Sequence, residues 1–234
     1  MRTFFLLFIY FFYLLVQVFR MIKLKFLYKF KGKEIAEKYT DKVLLKWVKV
    51  TNKIFGVKIR VHGRENIPNQ ACVFIGNHQS NFDITALIEA ANLPMGFISK
   101  KEVLKVPVIG YWMKAIHCVG MDRENVREAV KVFKEGSDNI KNGHNMTIFP
   151  EGTRAKDGVM KDFKQGSFKL ATKAKAPIIP VTISGTNKAY ELEGKLRKAT
   201  VDVTFHKPIY TAELSKEDEK NLAEKIQKIV KSAL

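Results

Sequence analysis

Ala71-Cys72-Val73-Phe74-Ile75 is an unbroken apolar run that stops at Gly76, and Asn77-His78-Gln79-Ser80-Asn81-Phe82-Asp83 follows it directly. A strand covered on both faces has this character, because neither side of its pleat meets water. A helix is expected from Phe82 to Ala90. Working outward, Val57 to Val61 alternates as a strand, and Met95 to Ser99, His117 to Met121, Asn145 to Phe149, Ile178 to Ser184 and Asp202 to Lys207 read as further short strands. Val106 to Ala115 predicts a helix with Pro107 in its first turn. Glu124 to Lys141 puts Val126, Val130, Phe133 and Ile140 on one face and ends near Gly143, a helix signature. Phe163 to Ala176 predicts a basic amphipathic helix with Phe168 and Leu170 turned to the core. Ser215 to Leu234 predicts a terminal helix, with Leu222, Ile226 and Ile229 at helical spacing behind a Ser-x-x-Asp capping box. The polar stretch from Glu193 to Ala199, with Gly194, reads as a surface connection. The expected fold class is α/β: a single domain over residues 56–234, with a mixed, largely buried sheet flanked by helices.

The 234 residues are 46% hydrophobic and contain 14 glycines and 7 prolines, which excludes disorder and collagen, and no internal repeat appears. Cys72 and Cys118 each sit in an apolar run, so they read as small hydrophobes in a reduced compartment. Net charge is +18, distributed unevenly: residues 1–60 hold 14 basic and 3 acidic side chains. Between Arg2 and Arg20 the chain reads TFFLLFIYFFYLLVQVF, 17 uncharged residues. As a helix they reach roughly 25 Å against a bilayer core of ~30 Å. No small-residue cleavage site follows, so the segment is expected to stay attached. From Lys23 to Lys58 lysines continue while Ile35, Tyr39, Val43, Trp47 and Ile54 draw an apolar stripe. This reads as an interfacial helix whose apolar face enters the acyl boundary while lysines meet anionic headgroups, at about 1 kcal/mol per charge. The alternative is a stripe that packs on the domain. Residues 1–55 are therefore expected to form a hydrophobic and amphipathic two-helix membrane element. A basic, nonenzymatic adapter is compatible with the charge, but no nucleic-acid module accompanies it and no nucleic-acid partner is expected.

The chemistry concentrates in two polar turns. If Asn81 or Ser80 caps the helix that starts near Phe82, Asp83 turns back toward His78 and its carboxylate holds the Nδ1 proton. Nε2 then acts as a base on a hydroxyl that attacks a carbonyl. The G-x-S-x-G pattern is missing around Ser80, so direct attack needs no serine nucleophile. Metal binding by His78 and Asp83 lacks further ligands, no H-E-x-x-H or C-x-x-C spacing occurs, and no metal is expected. The second turn is Phe149-Pro150-Glu151-Gly152-Thr153-Arg154. Gly152 permits close backbone approach, and Arg154 offers five donors suited to a phosphate or carboxylate. Glu151 either orients that guanidinium or receives a substrate hydroxyl. Arg123, Lys100 and Lys101 add basic groups near element ends.

Both turns resemble sequence blocks of the glycerolipid acyltransferase family. Met121-Asp122-Arg123 falls at that family's second block, which is commonly more aromatic or aliphatic before the arginine; Ile179-Pro180-Val181 is similar to its fourth, and Phe163-Lys164-Gln165-Gly166-Ser167 to the continuation of its third. Ala155 stands where the family commonly has serine. The resemblance implies transfer of a fatty acyl group from a thioester to the sn-2 hydroxyl of lysophosphatidate, giving phosphatidate. It implies His78 as base and Asp83 as its orienter, with Arg154, Lys100 and Arg123 at the acceptor phosphate. Asn77, Ser80, Glu151, Gly152 and Thr153 then shape the site, and Ile179 and Pro180 border the acyl donor. It further implies an aliphatic tunnel, a monotopic or partly inserted N-terminal helix pair, and no cofactor, the acyl donor being a thioester of acyl carrier protein or coenzyme A. Lysophosphatidate and membrane phospholipids are the expected partners, at a bacterial inner membrane with the catalytic domain on the cytoplasmic side. Glycerol 3-phosphate or another lysophospholipid as acceptor, and thioester hydrolysis, satisfy the same residues.

Overall fold

The computed structural model describes residues 1–122 and 126–234, and among them the apolar runs pair into one mixed sheet. Its strands are β1 (Val57–His62), β2 (Val73–Gly76), β3 (Gly96–Lys100), β4 (Val119–Met121), β5 (Met146–Ile148), β6 (Pro177–Ser184), β7 (Ala199–Phe205) and β8 (Ile209–Tyr210), in the order β1-β7-β6-β2-β5-β3-β4 with β8 paired to β6. From β6 through β4 neighbours run parallel, whereas β7 and β8 run antiparallel to β6, and β1 is parallel to β7. The helices are α1 (Arg2–Phe30), α2 (Lys33–Phe55), α3 (Phe82–Ala91), α4 (Ile109–Ala115), α5 (Val126–Lys141), α6 (Lys169–Ala174) and α7 (Lys216–Lys231).

Successive strand residues face opposite ways, so the sheet separates two cores. Phe74, Ile179, Val181 and Ile183 join Leu44, Val48 and Phe55 of α2 and Leu87 and Ile88 of α3 on one side. Val73, Ile75, Ile178 and Met146 meet Phe133 of α5, Leu170 of α6 and Leu222, Ile226 and Val230 of α7 on the other. Cys72 and Cys118 are buried free thiols, both pushed up to about 12 by burial, and so are packing groups.

Several expectations need correction. Val130 of α5 is 62% exposed, and Val132, Phe133 and Ile140 carry the inward face instead, because the helix is phased by Phe133. Phe163 to Ala176 is not one helix: a 3-10 turn spans Gln165–Phe168, and only Lys169–Ala174 is α-helical. The backbone N–H groups of Phe163 and Lys164 donate to Gln227 Oε1 and the Pro150 carbonyl, which holds that segment out of helical geometry. Pro107 precedes α4 instead of occupying its first turn. The basic stretch from Lys23 is also divided. It continues α1 as far as Phe30, and the chain turns at Lys31 and Gly32 before α2 begins. In α2, Val43 is buried and Trp47 and Ile54 pack half-buried against the first core, so protein covers much of the stripe assigned to lipid; Ile35 is exposed. The large apolar surface belongs to α1, where Phe4, Phe5, Phe8, Phe11, Phe12 and Phe19 are all more than half exposed. An 18-residue window of α1 has a mean hydropathy of 2.1, so by length and composition this helix is apolar enough to cross a membrane.

The capping box of α7 forms: Ser215 Oγ accepts from the Asp218 N–H, and the Asp218 carboxylate accepts from the Ser215 N–H. Because Ile226 is fully buried and Ile229 only half-buried, Ile226→Ala is expected to cost about 2–5 kcal/mol of unfolding free energy. Ile229→Ala should cost less, and denaturant titration of both variants in detergent checks the order.

Candidate active site

The site assembles at the carboxyl ends of neighbouring parallel strands. Asn77 to Asp83 follow β2, Glu151 to Arg154 follow β5, Thr186 follows β6, and Lys100 ends β3. At such ends the chain leaves the sheet and its side chains converge over one edge. Gly76, the last residue of β2, lies so close to its neighbour that a Cβ there would sit 2.6 Å from the Val181 carbonyl oxygen. Beyond it the Asn77 side chain continues the pairing, with Nδ2 donating to the Ile183 carbonyl and Oδ1 accepting from the Ile183 N–H, both at 2.8 Å. Asn77 is therefore a splint behind the site.

His78 Nδ1 lies 2.6 Å from Asp83 Oδ2. An ionised carboxylate only accepts, so Nδ1 carries the proton and Nε2 presents a lone pair. The same Asp83 oxygen accepts the backbone N–H groups of Gln79 (2.7 Å) and Ser80 (2.8 Å), and the Thr186 hydroxyl donates to Oδ1. Asp83 is fully buried, whereas the His78 side chain keeps 13% of its surface open. Ser80 Oγ accepts the Phe82 N–H, which shapes the entry to α3, and the Asn81 side chain makes no cap. The Phe149 ring stacks on the imidazole at 4.2 Å, with 7° between the planes.

The two turns are tied through backbone. Glu151 Oε1 accepts the His78 N–H at 2.6 Å, Oε2 accepts the Lys161 N–H, and the Ala155 N–H donates to the His78 carbonyl. Burial pushes the Glu151 carboxyl up, and the donated N–H groups of Lys161 and His78 pull it back. Glu151 neither orients Arg154 nor faces the cavity, so both roles offered for it are corrected: it clamps the histidine's main chain. Gly152, at a φ of 71°, supplies the left-handed residue of this turn. Arg154 is held instead by Glu191, whose Oε1 lies 3.3 Å from Nη1 and also accepts the Asn81 N–H.

His78, Lys100, Gly152, Thr153 and Arg154 line one cavity of about 500 Å³, whose remaining wall is mostly apolar: Leu14 of α1, Val43, Leu44 and Trp47 of α2, and Ile109, Trp112 and Met113 of α4. Lys100 is exposed at its end, 3.9 Å from Glu102, and Lys101 pairs with Asp122. Arg123 lies outside the described residues. Ile179 and Pro180 do not line the cavity. They are buried in β6 beside β2, in the sheet core. Sequence reasoning missed Glu191 and Thr186, whose roles arise across separations of 37 and 103 residues and carry no local pattern.

The α/β domain thus brings a histidine–carboxylate pair to a largely apolar cavity that Arg154 and Lys100 also line. A family model described as Acyltransferase matches residues 58–184, more than half of the chain, and the chain belongs to that family. It is 39% identical over 157 residues to the chloroplastic 1-acyl-sn-glycerol-3-phosphate acyltransferase BAT2 of Brassica napus, a match covering 65% of this chain and 45% of that protein. It is 31% identical over 230 residues to a probable 1-acyl-sn-glycerol-3-phosphate acyltransferase of Mycoplasma pneumoniae, covering 91% and 86% of the two chains. Among solved structures, the 1-acyl-sn-glycerophosphate (LPA) acyltransferase PlsC of Thermotoga maritima superposes with a TM-score of 0.74 at 27% identity, over 94% of this chain and 93% of that one. The match spans a little under half the length of the chloroplastic relatives from Brassica napus and Arabidopsis thaliana.

Asp83→Asn should replace the charged acceptor by a neutral amide that can turn an N–H toward Nδ1, and so shift His78 away from the Nδ1–H tautomer. Nitrogen-15 imidazole shifts in the parent and variant read this directly.

Proposed function

We propose that this chain transfers a fatty acyl group from an acyl thioester to the sn-2 hydroxyl of 1-acyl-glycerol 3-phosphate, forming phosphatidate. The observation that carries this reading is the one cavity that His78, Arg154 and Lys100 line together with a mostly apolar wall. An acceptor with a phosphate, a free hydroxyl and an acyl chain matches cations, a base and an apolar wall in one place. The names of the relatives from Brassica napus and Mycoplasma pneumoniae support the same acceptor.

In this mechanism His78 Nε2 takes the hydroxyl proton as the oxygen attacks the thioester carbonyl. The resulting imidazolium is stabilised by the Asp83 carboxylate, which four donors hold in place. Collapse of the tetrahedral adduct breaks the carbon–sulfur bond, and the thiolate takes the proton back from His78. Arg154, steadied by Glu191, and Lys100 bind the phosphate. The donor is a thioester of acyl carrier protein or coenzyme A.

Membrane attachment in this reading is monotopic. Thr3, Leu6, Tyr10, Leu14, Gln17 and Leu24 recur at helical spacing on α1, and each meets the domain or α2 side or is buried. A helix docked along its length lies in the interface with its outer phenylalanines in the acyl region, while the lysines of residues 23–58 meet anionic headgroups. The reading puts the domain on the cytoplasmic side of a bacterial inner membrane, in keeping with relatives from Mycoplasma and Pseudomonas.

Purified protein in vesicles, offered lysophosphatidate, glycerol 3-phosphate or other lysophospholipids with matched acyl thioesters, is expected to form phosphatidate by mass analysis; selective use of another acceptor, or hydrolysis alone, overturns the assignment. His78→Ala should lower kcat by ~100-fold or more. Arg154→Ala should chiefly raise KM for the acceptor, and steady-state kinetics with each substrate varied in turn separates the two effects.

A further inference from the structure

Where the first half of α2 faces the turns that lead into β4 and β5, three side chains with no part in the site above converge. Glu37 comes from α2, His117 from the turn between α4 and β4, and His144 from the turn between α5 and β5. One ligand atom from each lies within 4.8 Å of the others. The two imidazoles are stacked at 3.6 Å, and Glu37 Oε1 is 3.9 Å from His117 Nε2. That oxygen is buried without a hydrogen-bond partner, and Lys33 Nζ stands 3.6 Å away, beyond hydrogen-bond reach. A buried carboxylate oxygen that faces two imidazoles, has no hydrogen-bond donor and is paired only with the exposed Lys33 ammonium can take a more closely bound cation.

The backbone around the cluster is fixed in advance. Asn139 Nδ2 donates to the His117 carbonyl, and the His144 N–H donates to the Asn139 carbonyl, so one residue of α5 pins both histidine turns. His117 itself is held at a φ of 62°. Asp41, one helical turn beyond Glu37, lines the same recess of about 260 Å³ and supplies a second carboxylate. Burial holds the His117 imidazole below its ordinary range and so keeps it in the neutral, metal-binding form; the nearby His144 adds to this, against the pull of Glu37.

We propose that Glu37, His117 and His144 form a site for a divalent transition-metal ion of the zinc class, with water or Asp41 completing a four-coordinate shell. Two imidazoles and a carboxylate are a donor set suited to zinc. In a tetrahedral shell with bonds of ~2.1 Å the ligand atoms stand about 3.4 Å apart, so the cluster, within 4.8 Å as it stands, closes further as the rings splay from their stack. The ion would clip α2 to the strand side of the domain. Val43, Leu44 and Trp47 of α2 wall the acyl cavity, and Ile116, next to His117, lines both the cavity and the recess. Occupancy therefore stiffens the cavity's wall without touching His78.

The test uses the full chain in detergent, stripped with a chelator and titrated with Zn²⁺ by calorimetry and with Co²⁺ by visible absorption. One saturable equivalent with tetrahedral Co²⁺ bands is expected, along with a rise in the thermal unfolding midpoint on adding Zn²⁺. Glu37→Gln and His144→Gln should each weaken Zn²⁺ binding by at least about tenfold, since loss of even an outer partner of a metal ligand acts on that scale. His117→Asn, which tolerates the left-handed backbone, serves as a third variant, and metal-free unfolding midpoints equal to the parent's establish that all three fold. Absence of saturable Zn²⁺ uptake by the parent, or parental affinity in the folded variants, overturns the proposal.

Discussion

A carboxylate with no exposure to water is costly unless donors compensate its charge, and four meet Asp83, three on Oδ2 and one on Oδ1. Two of them, the Gln79 and Ser80 N–H groups, belong to the turn itself, so the turn wraps around the charge. The third is the imidazole, and the fourth comes from Thr186, beyond β6. The positive end of α3, which Asp83 enters in its first turn, favours the same charge. The direction of the imidazole, the start of α3 and the join between two strand ends all depend on this one group.

Around it the structure immobilises His78, the proposed base, through main chain. His78 donates its N–H to Glu151 and receives the Ala155 N–H on its carbonyl, so two turns more than 70 residues apart behave as one body. Asn77 adds a two-pronged link to Ile183, and Phe149 covers one face of the ring. Catalytic geometry held by backbone partners leaves little rotamer freedom to lose when a substrate arrives. The cationic side of the cavity is looser: Arg154 is one-third exposed and Lys100 more than half.

The N-terminal helices show how one amphipathic pattern serves two solvents. The inward face of α2 completes the first core, whereas α1 docks a narrow stripe and leaves its phenylalanines uncovered. Because Leu14 and Gln17 of α1 also line the cavity, the helix that presents apolar surface outward is part of the wall around the site.

Much of this was legible in order along the chain. Apolar runs of four to eight residues, the Ser215 capping box, and the two polar turns that follow buried strands are local signals, because a strand's pleat and a helix's first turn are set by neighbours in sequence. The pairing of His78 with Asp83 belongs here too, since five residues across a turn suffice to bring them together. Which face of α5 turns inward, whether lipid or protein covers α2, and what Glu151 holds depended on packing between distant segments. Glu191 reaches Arg154, Thr186 reaches Asp83, and Glu37 meets His117 and His144 only because the sheet stacks those segments together. Local sequence determined the strands, the turns and the histidine–carboxylate pair. Tertiary structure alone decided the partners of each charge, because a buried polar group is satisfied by whatever the folded chain places beside it in space, however far apart the two lie in sequence.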